Sequence, residues 1–214
     1  MRELDIENWN RKEHLVAKIN FYFFRQFDDP YFAVTVDFDV TKALNRSKAT
    51  ESSFFVMYLH ACMQAINSVE NFKFRIQGDK VVVHDVIHAS PTIAREDHTF
   101  GCSFIHYDAD FEKFNLNFKK EKERILSTSD LFPKEEGTDA CIYCSTMPWF
   151  HFSGHKEPFF GVKKESVPKL AFGKYVEENN AMMMPVAIAV NHALVDGYHV
   201  GLFVDAFQKA LDNF

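Results

Sequence analysis

Residues 182–201 read MMMPVAIAVNHALVDGYHVG, and this stretch decides the fold. Its apolar run, rich in small and β-branched residues, reads as a buried strand that ends abruptly on the polar pair Asn191-His192. The strand therefore delivers His192 to an edge. Four residues on, Asp196-Gly197 supplies a turn or helix-start signal, and Val200, Phe203, Val204, Phe207 and Leu211 then recur at helical spacing. The plan is strand, histidine, tight turn, helix. A histidine placed so can exchange a proton near neutral pH and act as a general base. A single histidine among ten is more often a core or surface residue satisfied by a backbone group.

Upstream, helices and strands alternate irregularly. Asn8 to Asn20 reads as a helix that ends where the aromatics of Phe21 to Phe27 begin, and Asp28-Asp29-Pro30 turns the chain into a strand from Tyr31 to Val40. Helical spacing covers Thr41 to Ala49 and Ser53 to Val69, the second with Phe54, Met57, Tyr58, Ala61, Ala65 and Ile66 on one face. Phe72 to His84 forms a hairpin about Gly78, Pro91 to Ala94 and Thr99 to Tyr107 are strand candidates, and Asp110 to Thr128 is a charged outer helix. Ala140 to Ser145 and Lys169 to Val176 complete the strands. The expected fold is a mixed β-sheet with helices packed mainly on one side, in a single domain over residues 1–214.

Composition narrows the function classes. A net charge of -6 speaks against a broad phosphate-binding surface, so no nucleic-acid partner is expected. The N-terminus lacks a basic-then-apolar layout and no apolar run approaches the ~18 residues of a membrane span, so a soluble cytoplasmic protein is expected. Cys141 and Cys144 lie three apart on a strand and face opposite sides, which makes them packed residues and leaves no metal site. A load of 24 Phe suggests a large core and an apolar pocket or subunit interface.

His192-x-x-x-Asp196-Gly197 resembles the active-site signature of the chloramphenicol acetyltransferase family, which the acyltransferase cores of 2-oxo acid dehydrogenase complexes share. Further stretches extend the resemblance in order across nearly the whole chain. These are Asn8 to His14, Phe132-Pro133, Ser145-Thr146-Met147-Pro148-Trp149, Gly173-Lys174-Tyr175, and Asn191 to Gly201. The resemblance implies the coenzyme A-dependent acyltransferase fold and a homotrimer with active sites between subunits. Acetyl-coenzyme A would enter from one side as co-substrate, with no permanently bound cofactor, and an acceptor alcohol from the other.

By the same likeness His192 is the base that lifts a proton from the acceptor hydroxyl, and Ser145 donates a hydrogen bond to the tetrahedral oxyanion. Asp196 is implied to pair with Arg11 and shape the loop that holds His192. Lys174 and Tyr175 match a pair near coenzyme A, with a solvated strand end as the alternative. Phe23, Phe24, Phe100, Phe132 and Phe159 align as an apolar acceptor wall, with Glu157 near it.

Departures from the family pattern gather at the acceptor. Asn191 stands where the family usually has a second histidine, extra residues fall around Leu15 to Asn20, His155 and Glu157 replace apolar pocket positions, and Ala171 replaces a threonine. The expected activity is O-acetylation of chloramphenicol or a related small amphipathic alcohol, with chloramphenicol itself accepted weakly or not at all, and antibiotic resistance is the role the resemblance names. Two alternatives stand beside it. One is a catalytically idle trimeric small-molecule-binding homologue. The other is a dehydrogenase-complex acyltransferase core, disfavoured because such cores usually sit in longer chains with lipoyl domains and linkers.

Overall fold

The computed structural model describes residues 1–4, 19–132, 138–158 and 165–214. Its frame is a seven-stranded sheet that contains β10, Ala181–Asn191, the strand read from the sequence. The path across the sheet is β2 (Tyr31–Asp39), β10, β8 (Lys169–Gly173), β7 (Cys141–Met147), β5 (His88–Ala94) and β6 (Phe100–Cys102). A short β9 (Val176–Glu178) pairs with β10 off that path. β2, β8 and β9 run antiparallel to β10, whereas β7 runs parallel to both β8 and β5. The sheet is mixed, as expected.

Alternation along β10 explains its two faces. Val186, Ile188 and Val190 point one way and are fully buried with Leu170, Phe172 and Ile142. Helices α3 (Phe54–Ser68) and α5 (Gly197–Leu211) cover that side: Tyr58 meets Phe172 at 5.0 Å between ring centroids, and Phe207 meets Phe38 at 4.7 Å. Ala187, Ala189 and Ala171 point the other way. That side faces the segment 148–158, tied by Lys174 N–H to Phe150 O at 2.9 Å and by Lys169 Nζ to Pro158 O at 2.7 Å. The approach is tight enough that a Cβ on Gly173 would come within 2.8 Å of the Phe152 ring.

Several expectations are corrected by packing. The helix expected over 8–20 lies mostly outside the described residues, and its described part, residues 19–24 (α1), runs on through the aromatics. Phe21 is buried and Phe24 packs inward one turn later, so tertiary contact holds those aromatics in a helix. α3 is buried on nearly every side, since it packs against α5, α2 (Thr41–Ala49) and α4 (Phe111–Leu126). The strand expected over Thr99 to Tyr107 shrinks to β6, and the remainder joins β5 through one bridge, Ala89 to Ile105. The hairpin forms about Gly78, whose φ is +62°, but it belongs to a separate sheet of β1 (Arg2–Leu4), β4 (Lys80–Val83) and β3 (Phe74–Gln77).

Arg75 locks that small sheet to the large one. Its fully buried guanidinium donates to Phe72 O, Phe74 O, Asp139 O and Cys141 O, at 2.6 to 2.9 Å. The four cysteines are free thiols, and burial pushes Cys141 up to about 12. A thiol held so is protonated and unreactive at neutral pH.

Candidate active site

His192 is the first residue beyond β10. Its N–H donates to Pro30 O at 2.9 Å, and its imidazole lies flat on Phe24, with centroids 3.9 Å apart and planes 6° from parallel. Phe32 tilts across the ring at 4.6 Å. The two phenyl groups fix the plane of the imidazole. Nδ1 is buried without a hydrogen-bond partner among the described residues. For Nε2 to take a proton from a substrate, the single proton of the neutral ring has to sit on Nδ1.

The turn behind His192 is held by side-chain amides. Asn191 is buried, accepts from Ala193 N–H at 2.9 Å through Oδ1, and donates through Nδ2 to Glu165 O at 2.9 Å. An amide supplies a donor and an acceptor on adjacent atoms, and this turn uses both. Asn71 Nδ2 donates to Leu194 O at 2.9 Å. The sequence reading missed Asn71, because one asparagine beside the buried Phe72 carries no periodic or motif signal.

Asp196 begins α5. Its Oδ1 accepts from Tyr198 N–H at 3.0 Å and His199 N–H at 3.2 Å, a helix cap made by an acidic side chain. His199 Nδ1 lies 2.8 Å from the same carboxylate and 3.2 Å from Asp196 N. Nδ1 accepts from Asp196 N–H, so aspartate and histidine cap the start of α5 reciprocally. Burial lowers the His199 pKa despite that carboxylate. Among the described residues no hydrogen bond joins Asp196 to His192, and the contacts of the aspartate are with the start of α5. Arg11, its expected ion-pair partner, lies outside the described residues.

Ser145 sits on β7 opposite Ala171 of β8, which in turn lies opposite Ala187 of β10. Among the described residues its hydroxyl makes no hydrogen bond. Two strand spacings of ~4.8 Å across and five rises of ~3.3 Å along β10 put the Cα atoms of Ser145 and His192 roughly 19 Å apart. The two are not brought together within one chain.

The expected acceptor wall is divided in the same way. Phe24 and the exposed Phe23 cluster with Phe27 at the His192 end, while Phe100 is on β6, across the whole sheet from β2 and so about 24 Å away. Phe132 is exposed, and Phe159 lies outside the described residues. Glu157 accepts from His155 Nε2 at 3.0 Å. Lys174 is exposed just past β8, and Tyr175 packs edge-on against Phe54 at 5.7 Å. Among the described residues no group of three His, Cys, Asp or Glu stands where it could hold a metal ion, and no helix is long and apolar enough to cross a membrane.

This mixed sheet, with helices over one face and a strand that runs out to a histidine, is a fold shared with solved coenzyme A-dependent acyltransferases. A probable dihydrolipoamide acetyltransferase from Listeria monocytogenes shares it with a TM-score of 0.67 at 17% identity, covering 95% of this chain and 92% of that one. A solved chloramphenicol acetyltransferase superposes with a TM-score of 0.86 at 29% identity, covering 98% and 100%. In sequence, chloramphenicol acetyltransferase 3 of Escherichia coli is 26% identical over 212 residues, 99% of this chain and 97% of its own length. The family model described as chloramphenicol acetyltransferase matches residues 1–208. The chain belongs to the chloramphenicol acetyltransferase family, a family of acyltransferases.

Proposed function

We propose that residues 1–214 form one acetyltransferase domain that moves the acetyl group of acetyl-coenzyme A onto a hydroxyl of a small amphipathic alcohol, chloramphenicol being the one the relatives' names supply. Both substrates bind together, with no covalent acyl-enzyme. His192 Nε2 takes the hydroxyl proton as the alcohol oxygen attacks the thioester carbonyl, and the Ser145 hydroxyl donates to the resulting oxyanion. Collapse of that intermediate breaks the carbon–sulfur bond. The imidazolium returns its proton to the departing thiolate, and ester and coenzyme A leave.

The observation that carries this reading is the held imidazole: His192 fixed in plane by Phe24 and Phe32 at the end of a rigid strand. The separation of Ser145 from His192 supports a site shared between subunits of a homotrimer, one supplying the base and its neighbour the oxyanion donor. Exposed apolar side chains such as Trp149, 74% exposed, support the same assembly. Lys174 and Tyr175 are proposed to meet coenzyme A, Arg11 to pair with Asp196, and the phenylalanines to line the acceptor side. A cytoplasmic location and a part in antibiotic resistance go with this reading.

Release of coenzyme A thiol from acetyl-coenzyme A, followed with a panel of alcohols and amines, tests the proposal. His192→Ala is expected to cut turnover by at least ~10²-fold while the fold persists, since it removes the base and little core volume. Turnover that survives in His192→Ala would reject the assignment.

A further inference from the structure

The segment 148–158 and the sheet enclose a recess of about 220 Å³ lined by Tyr31, Ala33, Ala189, Lys156, Glu157 and Lys169, among other described residues. One of its lining residues, Lys169, neighbours Ser145 on the sheet. Pairing sets Tyr143 opposite Lys169 and Ser145 opposite Ala171, so Lys169 and Ser145 are diagonal neighbours on one face, roughly 8 Å apart.

The charges in the recess are unequally satisfied. Lys169 Nζ donates to Pro158 O at 2.7 Å and to Glu165 Oε2 at 2.9 Å, and it lies over the Tyr31 ring. That cation is fully engaged. Lys156 reaches Asp29 at 3.5 Å from a side chain that is 84% exposed, so it belongs to the rim. Glu157 differs from both. Its side chain is only 17% exposed, and its one hydrogen-bond partner among the described residues is His155 Nε2 at 3.0 Å, which leaves most of the carboxylate's acceptor sites open. A carboxylate drawn so far out of water needs a cation or further donors to offset its lost hydration. Tyr31, Ala33 and Ala189 leave apolar room beside it for one ring-sized group.

We propose that Glu157 determines the acceptor specificity of this site, and that the recess takes an alcohol bearing a protonated amine whose N–H groups complete the carboxylate's hydrogen bonds. The inference rests on the acetyl-transfer reading and narrows its substrate class. The amine, being protonated, has no lone pair for attack, so the acetyl group still goes to the hydroxyl.

Two alcohols of equal length test it: 4-(aminomethyl)benzyl alcohol, and 4-ethylbenzyl alcohol as the neutral counterpart. In the wild type the amine is expected to have the higher kcat/KM by about tenfold, as one charge-assisted hydrogen bond allows. Glu157→Gln should bring the ratio close to one. Equal values for the two alcohols in the wild type would overturn the subsite. Thiol release with neither would overturn the transfer reading instead, and calorimetric titration of the amine then decides the subsite alone. Binding weakened about tenfold in Glu157→Gln supports it, whereas unchanged or absent binding overturns it.

Discussion

His192 and Ser145 stand on one sheet, the first just past the end of β10 and the second opposite Ala171 on β7, roughly 19 Å apart. No rotamer of either side chain closes that gap, so one substrate carbonyl cannot meet both within a chain. If the working site joins two protomers, defects in the two residues should complement. His192→Ala and Ser145→Ala, each nearly inactive alone, are expected to regain activity when the two chains are mixed by unfolding and refolding. Equal mixing leaves about a quarter of the interfaces with both wild-type residues. Mixed samples no more active than the sum of their parts would show that the site lies within one chain.

Phe24 is proposed to line the acceptor side, and its ring also lies against the face of His192 at 3.9 Å, where it can orient the base. The two roles separate in the kinetics. A wall residue acts on acceptor binding, whereas a residue that orients the base acts on the step in which the base works. Phe24→Leu keeps apolar volume and removes the flat contact. Its expected effect is a fall in kcat of about tenfold with a smaller change in acceptor KM. A pure rise in KM would return Phe24 to the wall.

The strand, histidine, turn and helix of 182–201 were legible because each has a local cause: branched residues in alternation, a polar stop, an acidic cap and apolar residues at helical spacing. The length of α1 was not legible. Four aromatics in a row carry no helical signature until Phe21 is seen in the core and Phe24 on His192. Asn191 was read as a lost ring, yet its amide ties the turn to Glu165 and Ala193, contacts that depend on residues far away in sequence or on the turn's final shape. The division of the phenylalanines between the two ends of the sheet follows from strand order, which no single segment encodes.

Arg75 should be the costliest single loss in the scaffold. Burial pulls its pKa down to about 10, which still leaves it charged at neutral pH, and it donates to four carbonyl oxygens. Arg75→Met removes the charge and strands those carbonyls in the interior, at a cost of about 3 kcal/mol or more. The expected fall in Tm is about 10 °C for a chain of this size. Arg75→Lys should recover little, because an ammonium cannot match the planar fork that spans both sheets. A Tm within a degree or two of wild type for either variant would show that the carbonyls find other partners.

Acid should weaken the fold before any carboxylate protonates. Burial lowers the pKa of His60 and His199, and burial together with the nearby His106 and His84 takes His88 from 6.5 to about 4. His88 also has a use for its neutral form, since Nδ1 accepts from Tyr107 N–H at 3.0 Å. In the unfolded chain these rings take up protons near pH 6.5, whereas folded His88 refuses one until about 4. Between those values the unfolded state binds more protons, so stability is full above pH 6.5 and declines as the pH falls toward 4. Asp85, Asp97 and Asp139, whose pKa values are lowered by hydrogen bonds, add their loss only below the usual carboxylate value of 3.8. Tm is therefore expected to hold level from pH 7.5 to about 6.5 and then to drop steadily down to pH 4.5. His88→Asn keeps an acceptor near the Tyr107 N–H and removes the titration, so its Tm should vary less with pH. An identical slope in that variant would move the acid sensitivity to His60 and His199, and a Tm that rises on acidification would contradict the histidine account altogether.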